Sequence, residues 1–240
     1  MKAMNEFSGV LRRCIDDYNM ISENDRIAVG VSGGKDSLVL LCALKYLQSY
    51  YPKKFYLEGL TLDLGFDGMD YTPIKELCRR WEIPYTVINT DIKEIVFDIR
   101  KEGNPCSLCS KMRRGALNNA IKEHGIYKLA LGHHFDDAVE TFMMSLLYEG
   151  RISCFKPCTW MSRAGVWQIR PMVYAGEQKI ANLAEHYKLP IVENPCPQDN
   201  SSKRHEIKQL VRTMSQNYPD LRSKVFGAMQ RLPLDGWETK

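Results

Sequence analysis

The run Ile27-Ala28-Val29-Gly30-Val31, followed at once by Ser32-Gly33-Gly34-Lys35-Asp36-Ser37, limits most strongly what this chain can fold into. The first five residues read as a short apolar strand that stops at a glycine turn. Asp36 to Tyr50 then resumes with Leu38, Leu41, Leu44 and Leu47 at helical spacing. The unit recurs, with strands expected at Leu57 to Leu62, Tyr85 to Ile88 and Lys128 to Leu131. A helix is expected over Asp70 to Trp81, and an apolar one from the end of the last strand to about Leu147. Strands alternating with helices predict an α/β fold with a parallel sheet and helices on both faces. Residues 1–24 read as a helix with Phe7, Val10, Leu11 and Cys14 on one side, and Tyr218 to Leu232 as a final packing helix.

Composition narrows the class. With 44% hydrophobic residues in 240, the chain can bury one sizeable core, and 16 Gly and 11 Pro are too few for a collagen-like or disordered polymer. A net charge of +4 permits a polyanionic partner without demonstrating one. No stretch approaches the roughly 18 apolar residues that span a bilayer. The first twenty residues carry acidic groups and lack the apolar segment of a secretory signal, so the expected location is the cytoplasm, away from membranes. In a reducing compartment, the eight cysteines pose the question of which bind metal or react.

The glycine turn sits where backbone N–H groups and a helix dipole converge on an anion. Ser32 and Ser37 add hydroxyl donors, while Asp36 suits either a helix cap or a magnesium ion. A plain glycine turn with a polar cap is the competing explanation, and the order of residues matches neither a Walker A loop nor GxGxxG. Ser-Gly-Gly-Lys-Asp-Ser after an apolar strand resembles the PP-loop of the ATP-pyrophosphatase superfamily, whose members adenylate a substrate and release pyrophosphate. The resemblance implies that Ser32, Gly33, Gly34, Asp36 and Ser37 hold the phosphates of ATP, with Gly30, Val31 and Asp63 near the adenosine. Asp63 is equally explained as a turn residue at a strand end.

Cys106-Ser107-Leu108-Cys109 brings two thiols together before a helix whose N-terminus favours thiolate. A closed zinc site needs four ligands, and no second CxxC exists. Cys196, between Pro195 and Pro197, is the best third candidate, and three thiols suit an iron–sulfur cluster with one open position. A thiol pair without ligands and a persulfide-carrying disulfide are the alternatives. Cys14, Cys42 and Cys78 fall on apolar helix stripes and read as core, while Cys154 and Cys158 are ambiguous. Gly132-His133-His134-Phe135-Asp136-Asp137 follows a strand and opens a helix, placing polar groups where open α/β sheets bind ligands. Capping by Asp136 or Asp137 is the simpler explanation of that segment.

Taken with NPCSLCSKMRRGALNNA, LALGHHFDDAVETFMMSLLYEG and IRPMVY, the late cysteine makes nearly the whole chain similar to the tRNA 2-thiocytidine synthetase family within the PP-loop enzymes. That resemblance implies an ATP-dependent tRNA sulfurtransferase, acting on cytidine 32 of the anticodon loop and using ATP, Mg2+ and a [4Fe–4S] cluster. Cys106, Cys109 and Cys196 would be the cluster ligands, Gly132 and Asp137 would lie near the ATP, and Asp137, Asp36 and Arg113 would serve catalysis. It further implies a homodimer and a sulfur donor, either sulfide or a cysteine desulfurase system. The expected division is an N-terminal helix over 1–24, a PP-loop ATP-binding domain over 25–195 with the CxxC loop inserted, and a C-terminal part over 196–240 carrying the third cysteine. Basic positions Lys111, Arg113 and Arg114, and Lys203, Arg204, Lys208 and Arg212, are the candidates for RNA contact. A 2-thiouridine-type enzyme and a non-enzymatic nucleotide- or cluster-binding regulator are the rival functions. The chain departs from the family after Cys196 and in the segment FKPCTWMSRAG.

Overall fold

A computed structural model describes residues 2–101, 103, 105–192, 195–196, 203–232 and 236–237. Six strands form one sheet: β1 (Asp25–Gly30), β2 (Phe55–Asp63), β3 (Tyr85–Asn89), β4 (Lys128–Ala130), β5 (Cys158–Met161) and β6 (Val166–Ile169), in the order β3-β2-β1-β4-β6-β5. All neighbours run parallel except β5, which pairs antiparallel with β6 through Cys158 to Ile169 and Met161 to Val166. The sheet is therefore mixed and mostly parallel, where the sequence reading expects a parallel one. The difference is a two-stranded hairpin whose strands are four residues each, too short for periodicity to reveal.

The helices are α1 (Lys2–Asp17), α2 (Lys35–Gln48), α3 (Thr72–Arg80), α4 (Pro105–Glu123), α5 (Phe135–Glu149), α6 (Glu177–His186), α7 (Lys203–Asn217) and α8 (Leu221–Arg231), with a π-helical segment at Glu94–Arg100. Period-two alternation in the strands divides the core. Ile27, Val29, Val31 and Leu57 join a cluster with residues of α1, α2, α3 and α6, while Ala28, Leu60 and Leu129 pack with Ile121 of α4. α2 is buried nearly all round, from Ser37 to Leu44, because α1 and α6 cover it on the side away from the sheet. α1 contributes Met4, Phe7, Leu11, Cys14 and Ile15 to the same cluster, so it is part of the core rather than an appendage. A separate cluster joins α5 to α7 and α8 through Val139, Met143, Ile207, Val211, Phe226 and Met229. No helix among the described residues is long and apolar enough to cross a membrane.

Strand order reverses at β1 and β4, the central neighbours from which the chain departs to opposite sides. Open α/β sheets bind ligands beyond the carboxyl ends of such strands, and both sequence motifs emerge there.

Candidate active site

The glycine loop leaves β1 at Val31, whose N–H donates to Leu60 O at 2.8 Å and whose carbonyl accepts from Thr61 Oγ1 at 2.8 Å. Gly33 has φ +87, a conformation that side-chain-bearing residues rarely adopt. Ser37 closes the turn: its Oγ donates to Gly34 O at 2.9 Å, accepts from Ser32 N at 3.1 Å and lies 3.2 Å from Ser32 Oγ. Gly34 is the N-cap of α2 with no side-chain cap, so the orphan N–H groups of the first turn are left for an anion. Asp36 thus does not cap α2. Its Oδ1 is buried without a hydrogen-bond partner, near Lys35 Nζ at 3.3 Å and His134 Nε2 at 3.9 Å.

The segment after β4 forms the facing wall. A Cβ on Gly132 would stand 3.1 Å from Ser37 N and 3.2 Å from Asp36 C, so any side chain there would crowd the backbone at the start of α2. The cap of α5 is His134: its Nδ1 accepts from Asp137 N at 3.4 Å, and Asp137 Oδ2 accepts from His134 N at 3.0 Å. Because Nδ1 accepts, the neutral ring carries its proton on Nε2, which lies 3.5 Å from Asp137 Oδ2. Asp36 and Asp137 therefore flank one imidazole edge. His133 is different: it stacks on Phe155 at 4.9 Å between centroids, and burial, with Arg170 adding to it, pushes its pKa down to about 4.

Asp63 ends β2, and its Oδ1 accepts from Gly65 N at 2.9 Å, the turn role foreseen for it. Val31 is buried and its N–H and carbonyl are both engaged, by Leu60 and Thr61, and Gly30 is filled by Leu117 of α4, 3.1 Å from where a Cβ would be.

Cys106 and Cys109 lie within the first turns of α4, one exposed and one half-buried, rather than in a loop before it. Cys196 is half-buried. Burial raises the Cys109 pKa, Arg113 opposes that rise, and Cys196 and Cys106 add to it, so the three thiols and Arg113 are electrostatic neighbours. Arg113 also acts on Tyr71, together with Asp63, which brings the cysteine helix to the carboxyl end of β2. Among the described residues no three His, Cys, Asp or Glu side chains converge as a single metal ion requires. Three thiols gathered around Arg113 are a donor set of the kind that holds an iron–sulfur cluster, whose cysteines bind different irons. The Pro197–Asn200 departure lies outside the described residues.

The path to Cys196 is fixed at its start: Val192 N donates to Gly33 O at 3.0 Å. Cys14, Cys42 and Cys78 are buried in the core, as expected, and burial pushes the Cys154 thiol up to about 12, which disfavours its thiolate.

Sequence reading missed the ionic ring around these parts. Glu177, the first residue of α6, donates its N–H to Asp136 Oδ2 at 2.7 Å, while Asp136 Oδ1 pairs with Arg222 of α8. The Glu177 carboxylate accepts from Lys208 at 2.8 Å on both oxygens and from Lys35 at 3.2 Å. Burial opposes its charge, yet the two lysines hold its pKa down at about 2. Arg204 lies 3.7 Å from Asp137 Oδ1 and donates to Thr141 Oγ1 at 3.1 Å, and Lys203 sits 5.0 Å over the Tyr148 ring. Three of the four basic residues proposed from the α7 sequence are thus engaged within the chain, and Lys111, Arg113 and Arg114 are exposed on α4. The only sequence signal for Glu177 was an acidic residue after Gly176 at a helix start.

Residues 6–214 match the model of the PP-loop domain family. The chain is 36% identical over 220 residues to the tRNA-cytidine(32) 2-sulfurtransferase of Syntrophotalea carbinolica, covering 90% of this chain and 85% of that protein. It is 35% identical to the enzyme of the same name from Dechloromonas aromatica, covering 96% and 81%. Its fold superposes with a TM-score of 0.77, at 26% identity, on the U34-tRNA thiolase NcsA from Methanococcus maripaludis, solved with its [4Fe-4S] cluster, over 93% of this chain and 78% of that one.

Proposed function

The chain belongs to the PP-loop family and, within it, to the tRNA-cytidine(32) 2-sulfurtransferases, and from that premise we propose that it adenylates a tRNA cytidine with ATP and replaces the 2-oxygen by sulfur. The observation that carries the proposal is the meeting of three parts at the carboxyl end of the central strands. These are the glycine loop, the Asp137 wall, and the segment leading to Cys196 that is bonded to Gly33.

Oxide is a poor leaving group, so the cytidine oxygen must first be activated. The base O2 attacks the α-phosphorus of ATP, pyrophosphate departs, sulfur adds at C2, and AMP leaves with the original oxygen. Ser32, Gly33, Gly34 and Ser37 border the phosphates, and the uncapped first-turn N–H groups of α2 are the donors that stabilise charge as it develops on pyrophosphate. Magnesium fits Asp36, whose buried Oδ1 has no hydrogen-bond partner, with Asp137 across the His134 edge as the second carboxylate. Gly30, Val31, Asp63 and Gly132 border the adenosine side. Cys106, Cys109 and Cys196 would hold the [4Fe–4S] cluster, which supplies a site for the incoming sulfur. Arg113, exposed beside Cys109, is positioned to offset negative charge between the thiols and the activated base.

The substrate is tRNA, with cytidine 32 as the target base, and α4 offers Lys111, Arg113 and Arg114 to its phosphates. In this reading residues 25–195 form the ATP-binding part and 196–240 complete the sulfur site. The sulfur comes from sulfide or a cysteine desulfurase, and the enzyme works as a cytoplasmic homodimer. Anaerobically reconstituted protein with ATP, Mg2+, sulfide and unmodified tRNA should yield 2-thiocytidine on nucleoside digestion and mass spectrometry. A different thionucleoside would move the target base, and none, with pyrophosphate release also absent, would return the chain to the class of binding proteins.

A further inference from the structure

The lysine of Ser-Gly-Gly-Lys-Asp-Ser has no part in the roles above, yet it occupies the centre of the phosphate loop. Lys35 is the first residue of α2, between Gly34 and Asp36, and its ammonium is half-buried. It lies 3.3 Å from both oxygens of Asp36 and 3.2 Å from Glu177 Oε1. Glu177 is shared, because Lys208, arriving from α7, donates to both of its oxygens at 2.8 Å. Two ammonium groups thus bracket one carboxylate, and the closer one comes from outside the loop.

That arrangement answers a difficulty in the chemistry of the site. A carboxylate beside a triphosphate repels it unless a cation neutralises the carboxylate, and a lysine that is a carboxylate's sole partner is costly to withdraw. With Lys208 in place, Glu177 stays paired when Lys35 leaves. An ammonium is a compact point charge on a flexible stem, so Lys35 can turn from carboxylate to phosphate without moving the backbone.

Resting on the ATP reading above, we propose that Lys35 exchanges partners in the catalytic cycle, moving from Glu177 to the β- and γ-phosphates of ATP, while Lys208 remains on Glu177 as its counterion. Lys35 is then a substrate-binding residue, and Glu177 and Lys208 are positioning residues. Glu177 holds the lysine beside the loop, and Lys208 makes its release possible. The exchange also ties occupation of the loop to α7, since α7 supplies the remaining partner.

The test is the affinity of α,β-methylene ATP and of AMP, each with Mg2+, measured by calorimetry on the full chain, with melting temperatures to establish folding. Lys35→Gln should weaken the triphosphate analogue roughly tenfold and leave AMP unchanged, and Lys35→Arg should recover most of the loss. Lys208→Gln should weaken the analogue in the same direction, because Lys35 is then confined to Glu177. Adding Glu177→Gln to Lys208→Gln should restore affinity. A purely structural ring predicts the opposite, with the double variant at least as weak as the single one and AMP affected as much as the analogue. Wild-type protein that binds the analogue while Lys35→Gln binds it equally well would overturn the exchange alone; wild-type protein that binds neither nucleotide would overturn the ATP reading with it.

Discussion

At the phosphate loop, Ser32, Gly34 and Ser37 are bonded to one another within six residues, and the wall behind them is Gly132, where an added Cβ would stand 3.1 Å from the backbone of α2. At the proposed cluster site, two thiols come from the first turns of α4 and the third from beyond α6, with burial rather than mutual bonding setting the environment of Cys109. One region is complete in its backbone, and the other is an approach of side chains that a cluster would bind together. The contrast follows from the ligands. Phosphates are held by N–H groups that the fold itself must aim, whereas cluster irons form bonds strong enough to draw their own ligands into place.

The sharpest break of that contrast is Cys106→Ala. Thiolation should fall by about two orders of magnitude or more. Affinity for an ATP analogue and the melting temperature should hold, because Cys106 is exposed on α4 and packs in none of the core clusters. Loss of nucleotide binding in that variant would show that the two regions are not separately built. Gly132→Val is the converse. Its side chain crowds the backbone at the start of α2 and must displace it, so nucleotide affinity should drop at least about tenfold, with a stability cost of about 1–3 kcal/mol by chemical denaturation. Iron content after reconstitution should change little.

Gly33→Ala tests the join between the regions. It strains φ +87 by roughly 1 kcal/mol, and its methyl would sit 3.1 Å from Val192 Cβ, so both nucleotide affinity and iron content should fall moderately. A variant that lost only one of them would separate the loop from the Cys196 path.

The smallest effect concerns Glu140, buried one turn after Asp137, with its Oε1 unpartnered and its pKa raised by burial from 4.5 to about 7. The folded chain keeps that proton when the unfolded chain has released it, so this group lowers stability as pH rises from about 4.5 through about 7. Glu140→Gln should therefore add about 1 kcal/mol at pH 8 and almost nothing at pH 4 in urea titrations. An equal gain at both values would point to packing instead.

The regions also differ in how well the sequence announces them. Ser32 to Ser37 and Gly132 to Asp137 are contiguous, each following an apolar strand, so residue order alone places them at strand ends. The Cys106–Cys109 pair is equally local, and the pairing with Cys196 rested on flanking prolines and on resemblance. Nothing local marks Glu177, Lys208, Arg204 or Arg222, because a charge on a helix face reads as solvated until the opposing helix is known. His134 as a helix cap was hidden by the aspartates beside it, which are the usual capping residues. The hairpin of β5 and β6 was missed since Trp160 and Trp167, paired across it and exposed, give no buried stripe.

The bond from Val192 N to Gly33 O turns part of the chain into a short tether. Cys196 lies four residues after Val192, and a fully extended chain spans at most about 3.6 Å per residue, so the backbone of the third cysteine stays within roughly 14 Å of that of Val192. The glycine loop and the proposed cluster ligand Cys196 are leashed to a common post, and an insertion of even a few residues between 192 and 196 would lengthen the leash while leaving every side chain at both ends unchanged.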